Sequence, residues 1–181
     1  REIELAEISR FLLDPKCHLL TLTGTGGKGK TRLAVEAAVQ GQHSFAKGGI
    51  FINLAALNGR DQIVTAIAVA LGIVLYNASD RSTQLISHLH EKELLLVLDN
   101  FEHLLEGVAL LATLLEHAPG LKILVTSREP LRLRAEHLLE IGGLPYPLAP
   151  PALDTPRLPA VDMFLAQAGK VTPGLALAPE T

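Results

Sequence analysis

Tryptophan is absent from this 181-residue chain, aromatic residues make up only 4% of it, and cysteine occurs once. Without aromatic bulk a core must be assembled from Leu, Ile, Val and Ala, which suits a buried parallel sheet flanked by helices. The lone Cys17 excludes an internal disulfide and fits a reducing compartment, so a cytoplasmic location is expected. A small buried residue just ahead of a strand is a plainer reading of Cys17 than a nucleophile. No apolar run is long enough to span a bilayer. The longest, residues 63–76, reads as a buried helix, and no membrane partner is expected. No signal peptide is visible. Long basic runs are missing as well, and with a net charge of −3 no direct nucleic-acid partner is expected. Arg128, Arg132 and Arg134 come nearest to a basic patch, and three arginines read as a solvated face. His88 and His90 lie two apart on a predicted helix and therefore diverge, which argues against a metal pair.

What remains is a packed globular sequence, 48% hydrophobic and 19% charged, long enough for one domain with a core. It begins at Arg1 without a methionine, as expected of a piece excised from a longer protein. Ile3, Leu5, Ile8 and Leu12 mark a first amphipathic helix, ended by Asp14-Pro15. Residues 19–23 (LLTLT) read as a strand that stops at glycines, and 30–39 as a helix. A second strand follows at 49–54, a helix at 61–71, and another from about Ser82 to His90. Residues 94–98 (LLLVL) form the most strand-like run, 104–117 a helix stopped by Pro119-Gly120, 121–126 a fourth strand and 137–141 a fifth. Strands alternating with helices, each strand nearly all apolar, predict a parallel α/β sheet covered on both sides. The α/β domain is expected to occupy residues 1–142. A proline-rich linker is expected at 143–159. Residues 160–181 read as the start of a truncated helical domain, with Val161, Phe164, Leu165 and Ala168 on one stripe.

Gly24-Thr25-Gly26-Gly27-Lys28-Gly29-Lys30-Thr31 fits the pattern Gly, four residues, Gly-Lys-[Ser/Thr]. Its glycines let the backbone curl so that successive N–H groups point at a phosphate, and a helix opening at Lys30 adds its positive end. Lys30 can reach β- and γ-phosphates, and the Thr31 hydroxyl can bind magnesium. Lys28 is an extra charge within the loop. Arg32, just beyond it, is counted with the nucleotide-binding residues. The loop follows a predicted strand and opens a predicted helix, the context that such a motif requires.

A magnesium nucleotide site also needs a carboxylate at a neighbouring strand end, and Asp99 follows five aliphatic residues. Hydrolysis requires a group that orients or deprotonates water. Asn100 occupies the place after the aspartate and can orient a water but cannot take its proton. Glu102 and His103 are the nearest substitutes, and slow turnover is expected. At the fourth strand's end, Thr126-Ser127-Arg128 are expected to open toward the nucleotide, with Arg128 able to contact a γ-phosphate.

The segments LLTLTGTGGKGKTRLAVEAA, LLLVLDNFEHL and LKILVTSREPLRLRAEH, in this order, resemble the STAND class of signal-transduction ATPases, including the NB-ARC-type ATPases, and most nearly their bacterial regulator branch. The resemblance spans nearly the whole chain. It implies a three-layer ASCE/AAA-like P-loop fold with a five-stranded parallel sheet of order 5-1-4-3-2. It further implies ATP/ADP with Mg2+, a closed ADP form, and an ATP form that self-associates through the full-length protein. Arg128 would be the sensor arginine, and Arg1-Glu2 the remnant of a motif near the adenine. Adenine over guanine rests on this likeness, since no Asn-Lys-x-Asp motif is present. Gly143-Leu144-Pro145 carries the letters of the family's Gly-x-Pro motif but lies too early in the chain. The leading expectation is therefore a regulatory ATPase switch with slow hydrolysis. A non-hydrolysing, nucleotide-dependent assembly module stands beside it because of Asn100. A P-loop small-molecule kinase would need an arginine-rich lid and an acceptor pocket that the sequence does not display.

Overall fold

A computed structural model describes residues 1–76, 80–104 and 106–143. The chain divides after Ile141 into two units, and only the first two residues of the second are described. Apart from Gly143, the expected proline-rich linker and the short helix thus fall outside the described residues.

Helix α1, Glu2–Leu13, carries Glu2 and Glu4 in its first turn, where carboxylates favour the helix dipole, and stops at Asp14. Ile8 and Leu12 are buried, but Ile3, expected on the same stripe, points outward. Strand β1, Leu19–Thr23, is followed by α2, Lys30–Gly41. Next come β2, Gly49–Asn53, α3, Arg60–Leu71, and α4, Arg81–Leu89. β3, Leu94–Asp99, leads through a 3-10 turn at Phe101–His103 to α5, Gly107–His117. β4, Leu121–Thr126, and β5, Glu136–Glu140, complete the sheet.

All strand pairings are parallel, and the order is β2-β3-β4-β1-β5, as the family resemblance implied. The aliphatic runs explain why. In a strand, successive side chains point to opposite faces, so LLLVL feeds two cores at once. Leu94, Leu96 and Leu98 join one cluster with Ile63, Ile67, Leu85, Leu110 and Leu114 from α3, α4 and α5. Leu95 and Val97 join a second cluster with Ile8, Leu12, Leu33 and Ala37 from α1 and α2. Each fully buried Leu contributes about 1.5–3 kcal/mol by leaving water. Coverage on both faces holds for β1, β3 and β4 only. The edge strands β2 and β5 are half covered, with Phe51 and Leu138 exposed, and among the described residues no strand pairs beyond them.

Two further departures have local causes. The apolar stretch 63–76 is not one helix. α3 ends at Gly72, whose N–H caps the last turn onto Ala68 and Val69 carbonyls, and Val69, Val74 and Tyr76 are exposed. Helix α5 starts at Gly107 rather than Leu104, because the backbone first passes through a left-handed Asn100 (φ 61°) and the 3-10 turn. Cys17 is buried, and burial pushes its thiol up from the ordinary value, which disfavours the thiolate a nucleophile needs. No helix among the described residues is long and apolar enough to cross a membrane.

Candidate functional site

The strand order puts the C-terminal ends of β1, β4 and β3 side by side, and every chemically suggestive residue leaves the sheet there. β1 runs into the glycine loop. Gly24 has φ +141°, and a Cβ added to it would stand 2.7 Å from the Ile141 carbonyl oxygen, so only glycine fits. Gly29 takes a left-handed conformation (φ 83°) as the cap of α2, the sharp entry that brings the helix N-terminus up to the loop. Lys30 Nζ donates to the carbonyls of Gly24 at 2.6 Å and Thr25 at 3.1 Å. Burial holds its ammonium below the usual lysine value, with Arg128 and Lys28 acting in the same sense and Glu102 and Asp99 opposing.

At the end of β3, Asp99 is 2% exposed. A carboxylate that deep must be hydrogen-bonded. Its Oδ1 accepts from Thr31 Oγ1 at 2.7 Å and from Thr126 Oγ1 at 2.6 Å, and its Oδ2 accepts from Asn100 Nδ2 at 3.2 Å. Thr126 Oγ1 also accepts the backbone N–H of Asn100 at 3.1 Å. One hydroxyl therefore holds both the carboxylate and the left-handed residue after it. Thr31 and Asp99 form an all-oxygen pair at the start of α2, a donor set that fits a hard divalent cation better than a sulfur- or nitrogen-seeking one.

Above this network lies a cleft of about 670 Å3, lined by Gly26, Gly27, Gly29, Lys30, Thr31, Arg32, Val35, Glu36, Asn100, Glu102 and Arg128. Arg128 Nε lies 3.0 Å from Glu102 Oε1. The guanidinium side chain is 67% exposed and the carboxylate side chain 23%. Arg128 also lines a second cleft of about 480 Å3, together with Gly24, Thr25, Lys28, Pro130 and Glu140.

Most residues expected at the site are thus brought to it, and several depart from expectation. Gly24, Thr25 and Lys28 face the second cleft rather than the first. Thr126 and Ser127 do not open outward as expected. Both are buried, Thr126 on Asp99 and Ser127 with its Oγ accepting the Glu129 N–H, and only Arg128 of that trio faces the cleft. His103 is not a cleft residue either, because its ring is bonded to the Leu57 carbonyl. Arg1 Nη2 donates to the Lys28 carbonyl at 2.9 Å, which sets the start of the chain against the loop, whereas Glu2 is exposed. Val35 and Glu36 were not anticipated. Lying four residues beyond Thr31 and Arg32, they share their side of α2, and that spacing was the available signal. Among the described residues, no three His, Cys, Asp or Glu side chains gather in a metal-binding group.

Comparison with known proteins follows the same lines. Residues 14–133 match the AAA domain family, and the chain belongs to it. The fold and the loop make it a P-loop NTPase domain. An uncharacterized protein of Mycobacterium tuberculosis is 32% identical over the whole chain, which spans 43% of that relative. A candidate HTH-type transcriptional regulator of the same species is 34% identical over 89% of the chain, which spans 17% of it. The chain therefore covers less than half the length of these curated relatives. Among solved structures, Aeropyrum pernix ORC1 in complex with DNA aligns with a TM-score of 0.67 at 20% identity, over 96% of this chain and 50% of that one. A STAND protein with a tetratricopeptide repeat sensor from Pyrococcus horikoshii aligns with a TM-score of 0.57 at 18% identity, over 80% of this chain and 23% of that one.

Proposed function

We propose that this chain is the ATP/ADP-binding module of a STAND-class, NB-ARC-like multidomain regulator of signalling or transcription, working as a nucleotide switch with slow hydrolysis. The observation that carries the reading is the bonded set Thr31–Asp99–Thr126 lying directly under the glycine loop and Lys30. In this reading the loop N–H groups from Gly24 to Gly29 and the N-terminus of α2 hold the phosphates. Lys30 balances their charge, and Arg32 borders the nucleotide. Thr31 and Asp99 hold Mg2+, which when bound neutralises phosphate charge. Glu102 is the carboxylate able to accept a proton from water, Asn100 helps to orient that water, and Arg128 contacts the terminal phosphate.

Slow turnover follows from Asn100, because the residue after Asp99 is an amide and cannot take a proton from water. The length of the curated relatives and the regulator among them support a module acting within a larger protein, with self-association in the ATP state a property of that protein. Release of inorganic phosphate from Mg-ATP tests the reading. The purified chain should release phosphate slowly, and Asp99→Asn and Glu102→Gln should lower the rate further. Rates in the wild type no higher than in Asp99→Asn, with ATP still bound, would favour the second reading that Asn100 suggests, an assembly module without useful hydrolysis.

A further inference from the structure

The turn after β3 sends three consecutive side chains three ways. A 3-10 turn has about three residues per revolution, so neighbours along it diverge by about 120°. Phe101 points into the core and is fully buried, against Gly107, where an added Cβ would meet the Phe101 ring at 3.0 Å. Glu102 points into the larger cleft and reaches Arg128. His103 points the third way, out of the cleft. Its Nε2 lies 2.8 Å from the Leu57 carbonyl oxygen, in the loop joining β2 to α3. A carbonyl only accepts, so the imidazole donates through Nε2–H.

Leu104, buried in the core, closes the far end of the turn, and its N–H bonds the Phe101 carbonyl. Asn100 sits in the left-handed region, and Leu104 leaves helical geometry with φ −111° and ψ 51°. Phe101 fixes the turn's depth in the core. The His103–Leu57 bond fixes its rotation, by tying it to a loop whose Leu54 N–H already bonds the Asp99 carbonyl. We propose that His103 is a positioning residue. Its bond to Leu57 sets the rotation of the 101–103 turn and thereby aims the Glu102 carboxylate across the cleft at Arg128. The inference rests on the proposed function only where Glu102 is given a part in hydrolysis. The aiming itself is a statement about geometry.

Two measurements test it on the purified chain. First, the Arg128 Nε–H resonance, assigned by its loss in Arg128→Lys, reports the contact with Glu102. It should shift in Glu102→Gln and move partway in the same direction in His103→Ala. In His103→Gln, whose amide N–H can take over the donor role, it should stay near its original place. A resonance that His103→Ala leaves unmoved overturns the proposal whether or not the chain hydrolyses ATP. Second, His103→Ala should lower the phosphate-release rate by roughly three- to tenfold with ATP affinity unchanged, the loss of one hydrogen bond acting on orientation. In a Glu102→Gln background the same change should have no further effect. Equal losses in both backgrounds, or a loss in affinity instead of rate, would show that His103 does not act through Glu102. Absence of any turnover in the wild type would fail the hydrolytic reading and leave the resonance experiment to decide the positioning role.

Discussion

Replacing Thr126 by valine keeps the branched shape of the side chain and deletes one hydroxyl, in a position 1% exposed. Two bonds disappear with it. Asp99 Oδ1 loses a donor at 2.6 Å, and the Asn100 N–H loses its acceptor at 3.1 Å. A hydrogen bond to a charged group is worth about 1.5–3 kcal/mol, and leaving a buried donor unsatisfied costs about 1–3 kcal/mol. The two losses share one atom and do not simply add, so about 2–4 kcal/mol is expected. With a urea dependence of about 2 kcal/mol/M, the unfolding midpoint should fall by about 1–2 M. Thr126→Ser restores the hydroxyl and should recover most of the loss. If the valine variant unfolds within about 0.3 M of the wild type, Thr126 does not hold Asp99, and the network beneath the loop has been misread.

Gly24→Ala forces a side chain into a backbone conformation that disfavours one and against the Ile141 carbonyl at 2.7 Å, so about 2–4 kcal/mol of stability should be lost in urea unfolding. An unchanged midpoint would contradict the close approach. The lowered Lys30 value has a pH consequence with a definite sign. Well below it, lysine is charged in both folded and unfolded chains and the fold bears the full cost of burying that charge. As pH rises toward the ordinary value near 10.5, the unfolded chain binds more protons than the folded one. Stability of the wild type should therefore rise relative to Lys30→Met just below pH 10.5, measured by urea unfolding across that range. Parallel curves would refute it.

The sheet was legible because its middle strands are short, mostly aliphatic runs, LLTLT, LLLVL and LKILVT, each with glycine or aspartate at one end. Residues 19–23 and 121–126 match β1 and β4 at both ends. Strand order was not in that periodicity and came only from the family likeness. The edge strand β2, GIFIN, looks much like the middle ones in composition, so the exposure of Phe51 could not be read before its place in the sheet was known. The start of α5 was missed because a left-handed Asn100 leaves no mark in a hydrophobic pattern. At the site, Gly24 to Thr31 and Asp99 were visible as a motif and a strand-ending carboxylate. Thr126 was visible only as a strand end, since threonine there also satisfies β-propensity. Its bond to Asp99 exists because β4 lies between β1 and β3, a long-range fact that local spacing does not encode. The pairing of Glu102 with Arg128 and of His103 with Leu57 is hidden for the same reason.

The central claim is that the loop and its lysine bind a nucleotide, and equilibrium titration tests it most directly. ATP, ADP and GTP, with and without Mg2+, would be titrated into the wild-type chain and into a folded Lys30→Ala variant. Removing one charge-assisted contact to phosphate corresponds to about 1.5–3 kcal/mol, roughly a ten- to hundredfold loss of affinity. The account predicts that ATP and ADP bind the wild type in preference to GTP, that Mg2+ strengthens ATP, and that the variant is weakened by that factor. Equal affinity in wild type and variant, or no binding to either, would contradict it.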